Sequence, residues 1–60
     1  MTIKEMRNIQ VAANALQVII GNTLDCPPYE APDYIQDAYY GANTLWLKLQ
    51  KMIEKKEELI

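Results

Sequence analysis

The three prolines of the chain all lie in one short segment, at Pro27, Pro28 and Pro32. Proline removes a backbone hydrogen-bond donor and clashes with the preceding turn, so a helix does not run through such a segment. The stretches on either side, 1–26 and 33–60, contain no proline and repeat apolar side chains at spacings of three and four. This arrangement predicts two helices joined by a proline-rich link.

A first helix is predicted over residues 2–21, approximately. Thr2 and Glu5 have the spacing of a capping box, in which each side chain accepts a hydrogen bond from the other residue's backbone N–H. Gly21 and Asn22 tolerate the left-handed conformation that closes many helices, so they predict its end. The predicted apolar seam consists of Met6, Ile9, Ala13, Leu16 and Ile20. The predicted polar stripe on the opposite side consists of Arg7, Gln10, Asn14 and Gln17.

The apolar surface of this first helix is wider than one seam. Ala12 and Ile19 broaden the seam, and Val11, Ala15 and Val18 lie on a further side. The apolar arc covers roughly 240°, whereas a surface helix needs a stripe of roughly 100°. One neighbouring helix cannot cover such an arc. The first helix is therefore predicted to be central in a bundle, in contact with two or more helices.

A second helix is predicted over residues 32–58, approximately, after a link over 22–31. Pro32 suits a first helical turn because its missing N–H costs nothing there, and Asp33 complements the positive end of the helix dipole. A connection of this length is only slightly longer than the usual link between neighbouring helices of a bundle. The apolar spacing in this helix is kept by Ile35, Ala38, Ala42, Leu45, Leu49 and Met52.

Sixty residues form one domain at most, near the lower limit for a chain that folds alone. Cys26 is the only cysteine and there is no histidine, so an internal disulfide or a zinc centre is not expected to supply stability. Oligomerisation is the remaining route. We predict one domain over 1–60, an all-α antiparallel two-helix hairpin that self-associates, as a dimer forming a four-helix bundle. The predicted oligomer interface consists of Ile9, Val11, Ala15, Leu16, Val18, Ile19, Leu45 and Leu49.

Charge is distributed unevenly along the predicted hairpin. The net charge is −2, and all six basic residues fall at the end where the two termini would meet. The loop end carries four acidic residues and no basic one (−4), and the other end carries six basic and four acidic residues (+2). Two interpretations stay open: charges that match the helix dipoles, or an acidic tip that docks on a basic protein surface. The second assigns partner binding to Asp25, Tyr29, Glu30, Asp33, Asp37 and Tyr40.

Several classes of function are not expected from this composition. Catalysis needs a nucleophile oriented by a base in a closed cleft, and a chain without histidine lacks the usual residues. No cofactor is expected, and the acidic balance argues against nucleic-acid binding. No segment approaches the ~18 apolar residues of a membrane span. Without a recognisable secretory signal or paired cysteines, the chain is expected in the cytoplasm.

The sequence therefore predicts a non-catalytic binding protein, a small oligomeric regulator or inhibitor of another protein. In size and style it is similar to accessory proteins of phages and mobile elements, an analogy that no motif carries. Two alternatives are open. The first is an oligomer that sequesters a small molecule in inter-chain pockets lined by tyrosine and by asparagine or glutamine. The second is a purely structural component of an assembly.

Overall fold

Two antiparallel helices make up the fold in the computed structural model, which describes residues 1–58. Helix α1 spans Ile3–Thr23, a 3-10 turn spans Pro28–Glu30, and helix α2 spans Asp33–Glu58. An ion pair between Arg7 and Glu57 ties the first turns of α1 to the last turns of α2. The hairpin is a rod with dimensions of 45 × 14 × 14 Å. The prediction of an all-α antiparallel hairpin is confirmed.

Helix α1 begins with the predicted capping box. The Thr2 N–H donates to the Glu5 carboxylate at 2.8 Å, and the Glu5 N–H donates to the Thr2 hydroxyl at 3.1 Å. The first of these bonds is the main reason why the pKa of Glu5 lies below its ordinary value. Because this pKa is lowered on folding, the contribution of Glu5 is present above the ordinary pKa and is lost as the pH falls through the lowered one.

Helix α1 ends two residues later than the sequence pattern predicts. It continues through Gly21 and Asn22 to Thr23, and neither Gly21 nor Asn22 adopts a positive φ. The chain leaves the helix at Leu24, which is extended and whose N–H still donates to the Ile20 carbonyl. The predicted stop at Gly21 and Asn22 was wrong because glycine permits the left-handed conformation without requiring it.

The link between the helices is held against the start of α2 by one long side chain. The Gln36 amide donates to the carbonyl oxygens of Tyr29, at 2.9 Å, and Ala31, at 2.7 Å. The Pro32 carbonyl accepts from the backbone N–H groups of Ile35 and Gln36, which places Pro32 at the start of α2 as predicted. Two carbonyls of the link that would otherwise bond to water are thus hydrogen-bonded to Gln36, and these bonds attach the link to α2.

The core lies at the end of the hairpin near the chain termini. Met6, Leu49 and Ile53 are buried together, and Ile3 and Ile9 pack against them. Farther along the seam Ala13 and Ala42 are buried as well. The core therefore consists of three large side chains at one end and alanines toward the middle.

One buried residue of the seam is polar, which contradicts part of the predicted pattern. Gln10 is 6% exposed, and its amide donates to the Trp46 carbonyl at 3.2 Å and to the Gln50 side chain at 3.0 Å. Gln17 is half-buried on the same side. The prediction of a polar stripe opposite the seam was wrong for both glutamines. Helix α1 is rotated so that they, rather than Leu16, face α2, because Gln10 finds polar partners across the seam.

The capping box gives a test of the fold. Thr2→Ala removes the side chain that accepts from the Glu5 N–H, and we expect it to lower the free energy of unfolding by about 1 kcal/mol. Thr23→Ala is the matched control, because its hydroxyl bonds only to the Ile19 carbonyl one turn back in the helix. Urea unfolding followed by circular dichroism measures both. Equal losses in the two variants would contradict the role of the cap.

Candidate functional site: the outer face of the first helix

The side of α1 that points away from α2 is apolar. It consists of exposed side chains, which we call the outer face: Val11, Ala12, Ala15, Leu16, Val18 and Ile19. Val11 is 68% exposed and Ile19 is 62% exposed. At 3.6 residues per turn the outer face spans about 160° of the helix circumference. Between Val11 and Ile19 the remaining residues are Ala13, which is buried in the seam, Asn14 and Gln17.

The distribution of polar and apolar residues on α1 departs in part from that on a helix packed at a protein surface. Such a helix buries its apolar stripe and exposes its polar side. Here Gln10 is buried, whereas Val11, Val18 and Ile19 are exposed. Contiguous exposed apolar surface of this kind is a common feature of interaction sites, whereas single exposed apolar residues are ordinary on protein surfaces.

The predicted interface residues fall into three groups in the structure. Leu49 is 3% exposed, so it lies inside the hairpin and cannot contact another chain in this conformation. Ile9 is half-buried and packs against the core. The other predicted residues, all exposed, are Val11, Ala15, Leu16, Val18, Ile19 and Leu45. Ala12 was not assigned to the interface, although its position between Leu16 and Ile19 on the helical wheel could have identified it.

Two open grooves run along one flank of the hairpin, where α1 and α2 meet. The first has a volume of about 480 Å³ and is lined by Arg7, Gln10, Val11, Asn14 and Trp46. The second is lined by Gln17, Val18, Gly21, Asn22 and Tyr39. The sequence pattern did not predict either groove. Asparagine and glutamine at spacings of three and four beside an aromatic residue of the other helix were the available signal.

The acidic loop end, which we call the tip, spans residues 24–37. Its four acidic residues and Tyr29, together with the nearby Tyr40, form the predicted partner-binding set, and every member is exposed: Asp25, Tyr29, Glu30, Asp33, Asp37 and Tyr40. Tyr40 makes an edge-to-face contact with Tyr39, with ring centroids 5.2 Å apart. Within residues 1–58 the only ion pair joins Arg7 and Glu57, at the opposite end of the rod. The acidic side chains of the tip are therefore not neutralised within the described hairpin.

Cys26 is a half-buried free thiol in the link. Residues 1–58 contain no group of three or more potential metal-ligating side chains. No helix in this part of the chain is long and apolar enough to cross a membrane. The features that stand out are thus surfaces, namely the outer face, the flank grooves and the tip.

Comparison of the chain with protein-family models, with curated proteins and with solved structures found no match.

Proposed function

We propose that this protein is a non-catalytic binding protein that works as a homo-oligomer, a dimer in the form of a four-helix bundle. In this role it is a small cytoplasmic regulator or inhibitor of another protein. The observation that carries the proposal is the outer face of α1, a continuous apolar surface for which the hairpin itself has no cover. Covering apolar surface is the dominant favourable contribution to protein association.

The dimensions of the hairpin support a further association step. It exposes 4608 Å² of surface, whereas a compact monomer of 6.9 kDa exposes about 4000 Å². Its radius of gyration is 13.6 Å, compared with about 10.4 Å for a compact domain of this length. A second hairpin laid along the rod would reduce both differences.

The small core also favours association. Met6 and Ile53 are the only large side chains that are fully buried among the described residues. Alanine fills much of the rest of the seam, and burying alanine contributes little to stability compared with burying leucine or isoleucine. The larger apolar side chains Val11, Leu16, Val18 and Ile19 lie outside and are not buried within the described hairpin.

In the proposed dimer, the tip is the surface that binds a different protein. Asp33, Asp37 and Tyr40 lie on the side of α2 that faces away from α1, so a dimer formed through α1 leaves them accessible. Acidic side chains raise the association rate with a basic surface, and a tyrosine supplies contact area. A basic surface of a target protein is therefore the proposed partner of the tip.

A specific observation favours a second candidate function, the sequestration of a small molecule. The groove beside Trp46 combines an aromatic ring with the polar side chains of Arg7 and Asn14. Ligand sites characteristically combine apolar walls with a few polar groups. Val11 contributes both to this groove and to the outer face, so a second chain on the outer face would also border the groove. The purely structural alternative is supported by the outer face alone.

The outer face is tested by introducing a charge into it. Val18→Glu places a carboxylate in a contact that excludes water, so we expect the variant to be monomeric at micromolar concentrations at which the wild-type protein is dimeric. Leu47→Glu is the matched control, because Leu47 is similarly exposed but lies on the far side of α2. Sedimentation equilibrium measures both masses. A wild-type monomer, or dissociation of both variants alike, would contradict the proposal.

The tip is tested by native mass measurement of the protein purified from cell extract. Asp33→Asn combined with Asp37→Asn removes two charges, and we expect it to reduce the amount of co-purifying protein while the homo-oligomer persists. Glu54→Gln combined with Glu58→Gln removes the same charge at the other end of the rod and should not reduce it. A bound small molecule in place of a protein would favour sequestration. A bare homo-oligomer would favour the structural role.

A further inference from the structure

The apolar residues of the outer face are arranged symmetrically about its centre, and this arrangement favours one orientation for a second copy packed on it. Ala15 lies at its centre, and Val11 and Ile19 lie four residues before and after it. If two α1 helices run antiparallel with the two Ala15 residues opposite each other, each Val11 meets Ile19 of the partner subunit. In the same register each Ala12 lies level with Val18 of the partner subunit along the helix axis. Small residues at such a crossing let the two helix axes approach to about 8 Å.

We propose that the outer face is covered by a second copy of this chain, with the two α1 helices antiparallel and a two-fold axis at Ala15. This inference rests on the proposed homo-oligomer and adds its geometry. The arrangement is isologous, meaning that the same surface is used by both subunits, as in most dimers. The two α1 helices lie at the centre of this dimer, and each α2 packs on the side of its own α1 that is opposite the shared contact.

The residues beyond the apolar centre fit the same register. Asn8 and Asn22 each lie seven residues from Ala15, on the same side of α1, and both are exposed. The antiparallel register therefore places Asn8 opposite Asn22 of the partner subunit. A side-chain amide carries both donors and an acceptor, so this pair can form hydrogen bonds at each edge of the apolar contact.

The charges of the two ends favour this orientation over a parallel one. The tip carries −4 and the opposite end +2, and the hairpin places these ends at opposite extremes of a rod 45 Å long. In an antiparallel dimer each tip lies beside the basic end of the other subunit. In a parallel dimer −4 lies beside −4 and +2 beside +2. Exposed charges interact over a Debye length of about 8 Å at physiological ionic strength, which is shorter than the rod, so orientation decides which ends interact.

Lys4 is one charged residue of the basic end that the antiparallel orientation places near the tip of the partner subunit. It lies on the same side of α1 as Ala15 and Asn22, eleven residues before the proposed axis. In the antiparallel register Lys4 therefore lies beside the link that follows Thr23 of the partner subunit, and that link contains Asp25, a carboxylate that has no ion-pair partner in its own described chain. Glu5 is nearby, but its carboxylate is held by the Thr2 N–H at 2.8 Å within its own subunit.

The single cysteine makes the orientation measurable in the intact chain. Cys26 lies beyond Thr23, the last residue of α1, and Thr23 is eight residues or about 12 Å along the helix axis from Ala15, so two spin labels on Cys26 are at least about 24 Å apart along the axis of an antiparallel dimer. Pulsed electron–electron double resonance on the labelled dimer should then give one distance longer than about 25 Å. A parallel dimer would bring the two labels together, at less than about 20 Å, because packed helices lie only 8–10 Å apart.

A label at mid-length is the matched control. Asn43→Cys in a Cys26→Ser background lies level with the middle of α1, because Gln10 bonds to Trp46 and Gly21 lies against Tyr39. Its distance should be nearly the same for both orientations, so it reports dimer formation alone. A short Cys26 distance in a dimer would overturn the antiparallel geometry and leave the proposed homo-oligomer standing. Mixed short and long distances would also overturn it, and a monomer would overturn both proposals.

Discussion

The buried amide of Gln10 fixes how α1 is turned against α2, and the rest of the surface follows from this. Its amide donates to the Trp46 carbonyl and to Gln50 across the seam. Burying an amide costs free energy unless the amide is hydrogen-bonded. The two hydrogen-bond partners of Gln10 lie on one face of α2. A polar residue at a seam position therefore specifies register at some cost in stability, as it does in coiled coils.

Turning α1 in this way directs its larger apolar side chains outward. Val11, Val18 and Ile19 are exposed because Gln10 and Gln17 occupy the positions that face α2. The hairpin thus satisfies its buried polar side chains within residues 1–58 but leaves apolar surface unburied. A lone hairpin of this kind is marginal in water, and in the proposed dimer a second copy would provide the missing burial. Stability and function are then coupled, because any surface formed between chains exists only in the assembled protein.

Much of the fold could be predicted from local sequence. The capping box needs only Thr2 and Glu5, and the proline-rich link needs only its own residues, so both are specified within a few positions. The end of α1 could not be predicted as well, because Gly21 is compatible with both signs of φ. Whether the helix continues depends on the following residues, which remain helical to Thr23.

The rotation of α1 could not be read from spacing alone. Met6 and Ala13 belong to two overlapping series, one continuing through Ile9 and Leu16 and the other through Gln10 and Gln17. The first series is the more hydrophobic and is therefore the one predicted to face α2. In the structure the second series faces α2, because the hydrogen-bond partners of Gln10 lie on α2, far away in sequence. An apolar arc of roughly 240° nevertheless predicts that apolar residues stay exposed whichever series faces inward, because the arc exceeds what one neighbour covers. Leu49 was wrongly assigned to the oligomer interface, since it belongs to the apolar series of α2 and is buried inside the hairpin.

The central claim is that folding of this chain is coupled to burial of the outer face by another copy. Thermal unfolding of the wild-type protein, followed by circular dichroism over a hundredfold range of protein concentration, tests it most directly. For a folded dimer that melts to unfolded monomers, mass action raises Tm as concentration rises. We expect a clear increase in Tm across the range. A cooperative transition whose Tm is the same at every concentration would show that the hairpin is stable alone, and would contradict the account.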